Sequence, residues 1–185
     1  MGKNATAQME REQRATIDSC IAYQGEVFRV RHDTITESSS PSKHWDIVCH
    51  SGAVAIIPML DRDHVILIEQ WRRAIDAVSL EIPAGALEKG EPPLECAQRE
   101  LQEETGYKAL ELIHFGGCHS APGFSNEYVH FFIGRQLIEA PLQADDTDLI
   151  DVRIVPFVEA IAMIQAGHIT DAKTVSALLR YKVSL

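Results

Sequence analysis

Short apolar segments separated by turn residues occupy the first half of the chain and predict a series of β-strands. The segments are residues 21–36, 45–49, 53–60 and 64–70. Residues 38–42, Ser-Ser-Ser-Pro-Ser, predict a turn or hairpin tip, and residues 61–63, Asp-Arg-Asp, predict the turn between the last two strands. Residues 1–16 are polar and charged, which indicates a tail or a short helix. The front half is therefore expected to be rich in β-structure.

The second half of the chain mixes helical and strand patterns. Pro92 and Pro93 suit the first turn of a helix and Gly106 suits the position just past its end, so this segment predicts a helix. Further strands are predicted at residues 110–118, 127–134 and 149–156, and further helices at residues 158–166 and 171–182. This mixture of strands and helices predicts an α/β or α+β fold.

Composition restricts the class of protein. With 185 residues, 45% hydrophobic and 24% charged, the chain has the balance of a soluble globular protein and is long enough for a full core. Residues 1–16 lack the apolar region of a signal peptide, and no apolar run approaches the ~20 residues that span a bilayer. The four cysteines show no CxxC spacing, which favours reduced thiols in a cytoplasm. We expect no membrane segment.

The charge balance argues against a nucleic-acid partner. The formal net charge is −10, and no run of Lys and Arg is longer than the pair Arg72 and Arg73. An anionic small-molecule substrate would therefore need a recruited positive charge, for which a divalent cation is the simplest candidate.

The helix predicted after Pro92 places three carboxylates together. At about 100° per residue, Glu100, Glu103 and Glu104 share one arc of about 100°. The carboxylates lie at the margin of the predicted core rather than on the solvated face opposite it. The apolar stripe that is expected to face the core consists of Leu94, Ala97 and Leu101.

Crowded carboxylates at the margin of a core indicate a cation site. Like charges three or four residues apart destabilise a helix, and more so where a neighbouring core lowers the dielectric. Oxygen ligands without His or Cys among them favour Mg²⁺ or Mn²⁺ over Zn²⁺. The alternative is that the three glutamates are solvated surface, and the wider sequence pattern argues against it.

A longer motif surrounds the three glutamates. It runs from Gly85 through Glu91 to residues 99–107, Arg-Glu-Leu-Gln-Glu-Glu-Thr-Gly-Tyr, with five residues between Gly85 and Glu91 and seven between Glu91 and Arg99. This motif resembles the Nudix box at every fixed position. Tyr107 stands where the box usually has an aliphatic residue, which affects packing and not the metal site.

The resemblance implies a Nudix fold, a mixed β-sheet between helices, and a box that forms a loop-helix-loop. It further implies that the box binds a divalent metal and cleaves a diphosphate linked to another moiety. Arg99 and Glu91 would pair and orient the glutamates, as a metal site requires of the groups around its ligands. The implied metal ligands are the backbone carbonyl of Ala84 and the carboxylates of Glu100, Glu103 and Glu104.

Segments on both sides of the box resemble the ADP-ribose pyrophosphatase branch of the family. They are residues 70–73, 81–85, 120–127 and 167–174. The branch implies hydrolysis of ADP-ribose to AMP and ribose 5-phosphate with Mg²⁺, or with Mn²⁺. It also implies a homodimer in which residues 1–50 form an N-terminal tail and β subdomain used in dimerisation. Residues 51–185 would form the hydrolase domain of a cytoplasmic enzyme.

The same segments supply candidate substrate-binding residues. Arg72 or Arg73 can hold a phosphate bidentately, and Glu81 can accept hydrogen bonds from an adenine amine or a ribose hydroxyl. Trp71 and Phe124 can stack on a base. Each also has a structural interpretation, since the arginines can be solvated, Glu81 can pair with one of them, and the aromatic rings can belong to a core or a dimer interface.

The carboxylate that accepts the proton from the attacking water is left open by the sequence. The branch often uses a glutamate in a loop beyond the box, and the corresponding loop here offers Asp145, Asp146 and Asp148. Because aspartate is one methylene shorter, Glu103 and Glu127 are alternatives. The acidic loop can also be a solvated turn.

Other functions remain open. A nucleotide-sugar such as GDP-mannose or UDP-glucose, or a dinucleoside polyphosphate, is an alternative substrate, because a few side chains outside the box set substrate choice. A non-catalytic nucleotide sensor would be expected to have lost a box glutamate, and none is lost. A calcium-binding or purely structural acidic helix lacks EF-hand spacing and leaves Gly85 and Glu91 unexplained.

Overall fold

The computed structural model describes residues 2–37, 41–143 and 149–185. The chain divides into two compact units, which we describe separately. The first consists of Met1–His50 and Ala121–Glu127, and the second of Ser51–Ser120 and Tyr128–Leu185. The turn predicted at residues 38–42 lies largely outside the described residues, and the whole acidic loop at residues 145–148 lies outside them.

The first unit is a helix followed by a small antiparallel sheet. Its elements are α1 (Lys3–Arg14), β1 (Thr16–Gln24), β2 (Arg29–Thr36) and β3 (Lys43–Cys49), with β2 in the centre of the sheet. Within the described part of this unit only Asp33 and Ile35 are buried, and β1 is exposed along its whole length. The strands predicted at residues 21–36 and 45–49 are therefore present, with a turn at residues 25–28 that splits the first segment into two strands.

The described residues of the second unit form two sheets and three helices. The strands are β4 (Ala53–Pro58), β5 (His64–Arg72), β6 (Ala77–Glu81), β7 (Ala84–Ala86), β8 (Tyr107–His119), β9 (Tyr128–Glu139) and β10 (Ile150–Pro156). The helices are α2 (Pro93–Thr105), α3 (Phe157–Gln165) and α4 (Ala172–Ser184). A mixed sheet has the order β7-β4-β9-β8, with β4 and β9 parallel, and an antiparallel sheet has the order β10-β5-β6.

Strand β4 joins the two hydrophobic clusters of this unit. All six of its residues are buried, and successive side chains of a strand point to opposite faces. Val54 and Ile56 pack in a cluster with Leu101 of α2, whereas Ala55 and Ile57 belong to a second cluster that includes residues of α3 and α4. Both faces of the mixed sheet are thus covered by helices, which confirms the predicted fold class.

Helix α2 corrects one part of the predicted core. Ala97 and Leu101 are fully buried, as the helical wheel predicts, but Leu94 is 52% exposed. Leu94 lies in the first turn, and the buried part of the helix begins only at Cys96. The wheel gives the direction of a side chain around the helix axis but not where along the axis the neighbouring sheet ends.

The sequence pattern also missed two strands, β6 and β7. Strand β7 has only three residues, Ala84–Ala86, which is too short for an alternating pattern to show. It exists because it pairs with Ala53, Val54 and Ala55 of β4. Among the helices that the structure describes, none is long and apolar enough to cross a membrane.

The position of Leu101 and Leu94 on one helix gives a matched test of the core. We expect Leu101→Ala to lower the free energy of unfolding by about 2–5 kcal/mol, because it removes a fully buried side chain and leaves a cavity. Leu94→Ala is expected to change it by less than about 0.5 kcal/mol, since Leu94 is exposed. Urea denaturation followed by circular dichroism measures both, and equal effects would contradict the assignment of the core face.

Candidate functional site

Helix α2 begins and ends as its sequence predicts. Pro92 precedes the helix with an extended backbone, and Pro93 occupies its first turn, where the missing N–H costs nothing. Gly106 ends it in the left-handed conformation, φ 77°, and its N–H donates to the carbonyl of Gln102 at 3.0 Å. The helix therefore carries its three glutamates in the last two turns, beside strand β7.

The guanidinium of Arg99 is the centre of this region. Its Nε and Nη2 donate to the two oxygens of Glu91 at 2.9 and 3.0 Å, and its Nη1 donates to Glu100 at 2.6 Å and to Glu103 at 3.0 Å. The hydrogen bonds from Arg99 hold the pKa of Glu91 at about 2. Arg99 therefore links the loop before the helix to two of the three crowded carboxylates.

Glu104 is held differently and lies deeper. Its Oε2 accepts a hydrogen bond from the backbone N–H of Ala84 in β7 at 2.8 Å. Burial raises the pKa of Glu104 to about 8, and burial also raises the pKa of Glu100 although Arg99 opposes it. Two carboxylates that are costly to ionise thus lie in the same place, which is the situation that a bound cation relieves.

Gly85 makes room for this arrangement. A Cβ atom built on Gly85 would lie 2.0 Å from Oε1 and Cδ of Glu100, far inside van der Waals contact. Any other residue at position 85 would displace the carboxylate or the strand. The glycine therefore permits a close approach between β7 and the glutamates of α2.

The residues present fit a divalent cation. The donor set consists of carboxylates that approach the backbone of β7, with neither His nor Cys among them, as hard cations prefer. In the described ranges no three His, Cys, Asp or Glu side chains already converge as metal ligands, and Arg99 bonds to Glu100 and Glu103 instead. A bound ion would therefore require these two side chains to turn towards it.

A second charged cluster surrounds Glu81 at the end of β6. The carboxylate is 2% exposed and accepts two hydrogen bonds from Arg72, at 2.8 and 2.7 Å, and a further one from Lys173 of α4. Burial by itself would raise the pKa of Glu81, but the bonds and charges of Arg72 and Lys173 outweigh it and hold the pKa at about 2. One buried carboxylate therefore serves two cations.

The two arginines proposed for phosphate binding occupy different surroundings. Arg72 reaches Glu81, whereas Arg73 forms an exposed ion pair with Asp76 at 3.0 Å. Trp71 is 54% exposed, and as the neighbour of Arg72 in β5 it points to the other face of the sheet. The structure therefore brings together Arg72 and Glu81 but neither Arg73 nor Trp71 with them.

Two further candidates lie in the first unit. Phe124 is 59% exposed, and its carbonyl accepts a hydrogen bond from the N–H of Val48 at 2.8 Å. The carboxylate of Glu127 lies 3.5 Å from Nδ1 of His50. The remaining candidates, Asp145, Asp146 and Asp148, fall outside the described residues.

A family model for the NUDIX domain matches residues 50–178 of the chain. The chain belongs to the Nudix family. The resemblance expected from the box is thereby confirmed, and so is the hydrolase class: the protein is a Nudix hydrolase, an enzyme class that cleaves a nucleoside diphosphate linked to another moiety. Nudix hydrolases generally use divalent metal ions.

Several relatives cover most of the Nudix chain. It is 34% identical to the ADP-ribose pyrophosphatase of Bacillus subtilis over 84% of this chain and 85% of that protein. It is 33% identical to the methanol dehydrogenase activator of Bacillus methanolicus over 88% of this chain and 89% of that protein. It is 34% identical to a GDP-mannose pyrophosphatase of Yersinia enterocolitica over 71% of this chain and 72% of that protein.

A solved structure shares the Nudix fold. The crystal structure of an ADP compounds hydrolase superposes with a TM-score of 0.83 at 24% identity, and the match covers 92% of this chain and 94% of that one.

Lys173 is a member of the Glu81 cluster that the sequence did not predict. It lies 92 positions from Glu81 along the chain, so no local pattern could pair the two. The available signal was the segment at residues 167–174, which resembles the ADP-ribose pyrophosphatase branch and contains this lysine. Asp171, 3.0 Å from the Lys173 ammonium, also caps helix α4 by accepting from the N–H of Thr174.

The cluster around Glu81 predicts a pH-dependent contribution to stability. The pKa of Glu81 is about 2 in the folded protein against an ordinary value of 4.5, so the unfolded chain binds the extra proton as the pH falls. The stabilisation is complete above about pH 5 and declines between pH 4.5 and 2, with roughly 1.4 kcal/mol lost by pH 3.5.

Glu81→Gln tests this contribution. We expect the free energy of unfolding of the variant to be about 2–4 kcal/mol lower than that of the wild type at pH 7, because two cations lose a buried partner. This difference should be smaller at pH 3.5. The control Glu69→Gln breaks a half-exposed pair with Arg153 and should cost less than about 1 kcal/mol. Urea titrations at both pH values measure the difference, and a deficit independent of pH would show that Glu81 is not ionised in the folded protein.

Proposed function

We propose that the protein is an ADP-ribose diphosphatase that hydrolyses ADP-ribose to AMP and ribose 5-phosphate with Mg²⁺, or with Mn²⁺, as its metal. The observation that carries the proposal is the crowding of Glu100, Glu103 and Glu104 beside Gly85, next to the buried cluster of Glu81 in the same unit. The similarity to a protein named ADP-ribose pyrophosphatase over most of both chains supports the choice of substrate.

The box residues are proposed to hold the metal. Glu100, Glu103 and Glu104 would supply carboxylate oxygens, and the carbonyl of Ala84 a further one. When bound, a divalent ion lowers the pKa of a water molecule and neutralises charge on the diphosphate. Arg99 keeps its bidentate hydrogen bonds to Glu91, and Oε2 of Glu91 also accepts the N–H of Glu88 at 3.0 Å. These bonds fix the loop before helix α2 against the helix.

The cluster around Glu81 is proposed to bind the substrate. Arg72 holds Glu81 through its guanidinium fork, and the same geometry matches a phosphate. If a phosphate takes over Arg72, Lys173 still neutralises Glu81, so the buried carboxylate is not left without a cation. Glu81 would then accept hydrogen bonds from the amine of adenine or a ribose hydroxyl.

Three other side chains have weaker support as substrate ligands. Trp71 and Phe124 are 54% and 59% exposed, and Arg73 is exposed and paired with Asp76, so each is accessible to a ligand. We propose stacking on a base for Trp71 or Phe124 and a phosphate contact for Arg73.

The proton acceptor is proposed to be a carboxylate near the diphosphate. Glu103 is the candidate in the box itself, with its carboxylate partly exposed and hydrogen-bonded to Arg99 at 3.0 Å. Asp146 and Asp148 are the candidates in the acidic loop, and Glu127 is the candidate in the first unit. Substituting each by its amide would identify the acceptor, because loss of the acceptor lowers turnover far more than substrate affinity.

Glu104→Gln tests the metal assignment. We expect turnover of ADP-ribose in Mg²⁺ to fall by ~10²-fold or more, because the amide removes an anionic ligand, while the hydrogen bond from Ala84 preserves the fold. Glu95→Gln on the exposed face of the same helix is the control and should leave turnover unchanged. Release of AMP measures both, and an unaffected Glu104→Gln enzyme would remove this residue from the site.

GDP-mannose is the second candidate substrate. The observation that favours it is the 34% identity to a GDP-mannose pyrophosphatase over 71% of the chain. A panel of ADP-ribose, GDP-mannose, UDP-glucose and dinucleoside polyphosphates, each with and without Mg²⁺, separates the possibilities by kcat/KM. Fast Mg²⁺-dependent release of AMP from ADP-ribose alone supports the proposal, and preferred turnover of another compound contradicts it.

We propose that the enzyme is a cytoplasmic homodimer, with residues 1–50 as the dimerisation subdomain and residues 51–185 as the hydrolase domain. The support is the apolar surface on one face of the sheet in the first unit, where Ile17, Ile21 and Trp45 are each more than 40% exposed. Such a patch is typical of an interaction surface.

Light scattering tests the dimer. One chain has a mass of 20.6 kDa, and we expect a particle of twice that mass at micromolar concentration. Replacing both Ile17 and Ile21 by Asp should shift the equilibrium towards the monomer. The control variant Val183→Asp changes an exposed apolar residue of α4 and should keep the dimer. A wild-type monomer would reject the assignment of residues 1–50.

A further inference from the structure

We infer that the second unit carries a separate binding site for a phosphorylated small molecule in a cavity of about 590 Å³ between Arg62 and Arg135. This site does not depend on the proposed function, because it shares no residue with the box or with the cluster around Glu81. We refer to it as the Arg62–Arg135 cavity. Its lining also includes one acidic residue, Asp61, together with Met59, Leu60, Gln136, Phe157, Tyr181 and Leu185.

The cavity lies at the opposite end of β4 from the box. The box strand β7 pairs with the first residues of β4, whereas Met59, just past its last residue, donates its N–H to Gly134 of β9 at 2.9 Å. A six-residue strand is roughly 20 Å long at about 3.3 Å per residue. A ligand in this cavity is therefore too distant to share the box glutamates.

The two arginines of the cavity have no anionic partner. Both side chains are exposed, and neither forms an ion pair with any residue in the described ranges. Asp61, beside Arg62, instead accepts the N–H groups of Asp63 and His64 at 2.7 and 2.8 Å, and Glu111, opposite Arg135 in the sheet, is not within ion-pair distance. Asp61 also lines the cavity, so the lining side chains carry two positive charges and one negative charge. In a chain with a net charge of −10, this is a local excess of positive charge.

The backbone of β9 is distorted at the same place. Gln136 has φ 53°, the left-handed region, and the only other non-glycine residue with positive φ in the part of the chain that the structure describes is Asp76 in a turn. Successive residues of a regular strand point to opposite faces, yet Arg135 and Gln136 both line this cavity. The distortion adds the amide of Gln136 to the guanidinium of Arg135 as hydrogen-bond donors on one side.

The floor of the cavity is apolar. Met59, Phe157 and Tyr181 are each less than 9% exposed, and the two aromatic rings meet edge to face at 5.4 Å. The volume is in the range of small-molecule sites, about 300–1,000 Å³. Guanidinium forks match phosphate oxygens, and an apolar floor suits the carbon face of a sugar or a base. The fitting ligand class is therefore a phosphate ester of a sugar or a nucleoside rather than phosphate alone.

Calorimetric titration tests this site with three probes: inorganic phosphate, ribose 5-phosphate and AMP. EDTA is present throughout to remove binding that needs a divalent metal at the box. The test variant combines Arg62→Gln with Arg135→Gln. The control combines Arg11→Gln with Arg14→Gln in α1, which removes the same two charges from an exposed helix. Amide chemical shifts of the wild-type protein locate the bound probe.

We expect ribose 5-phosphate or AMP to bind saturably to the wild type and to the control, and at least tenfold more weakly to the Arg62/Arg135 variant. Shifts should centre on residues 59–63 and 135–137, and the preferred ester distinguishes a sugar phosphate from a nucleotide. Unchanged affinity in the variant, shifts confined to residues 84–104, or no saturable binding at millimolar concentration would overturn the site. Phosphate binding as tight as either ester would overturn the assignment to an organic phosphate.

The fold of the variant is checked independently. Both arginines are exposed, so the Arg62/Arg135 variant should melt at the temperature of the wild type, and its turnover of ADP-ribose without added ligand should be unchanged. If it melts earlier, Arg135→Gln alone gives the same comparison with one charge removed. The binding measurement does not use turnover. The binding site can therefore be refuted while the proposed enzymatic function holds, and the enzymatic function can be refuted while the binding site holds.

Discussion

The candidate metal site depends on the ion pairs of Arg99. Three carboxylates at the margin of a core repel one another, and burial raises the pKa of two of them, Glu100 and Glu104. Arg99 offsets part of this repulsion and at the same time ties the helix to Glu91 in the preceding loop. The network keeps the glutamates close together without a metal. The carboxylates are therefore already near one another before a cation binds.

The sheet converts this local arrangement into a site. Strand β7 is held by only three register pairs with β4, but β4 is buried on both faces and cannot shift without disturbing two hydrophobic clusters. Glu104 accepts the N–H of Ala84 in β7, and Gly85 lets Glu100 approach the same strand. The rigidity of the core thus sets the distance between helix and strand, on which a metal site depends.

Charge is distributed unevenly over a chain that is acidic as a whole. The cluster of Arg72, Glu81 and Lys173 combines two cations with one buried carboxylate, and Asp171 lies 3.0 Å from the Lys173 ammonium. The Arg62–Arg135 cavity combines two arginines with Asp61. Both are proposed here as sites where an anion binds in spite of the net charge of −10. One lies within reach of the proposed chemistry, and the other lies at the far end of β4.

The sequence alone determined the features that depend on neighbours along the chain. Helix α2, its ends at Pro93 and Gly106, and the shared arc of Glu100, Glu103 and Glu104 follow from helical periodicity and from the backbone preferences of proline and glycine. Only the tertiary structure decided that Leu94 is exposed, that Arg72 and not Arg73 reaches Glu81, and that Lys173 joins them from 92 positions away. These depend on which strands pair and where a sheet ends, and such contacts between distant residues leave no periodic trace in a single sequence.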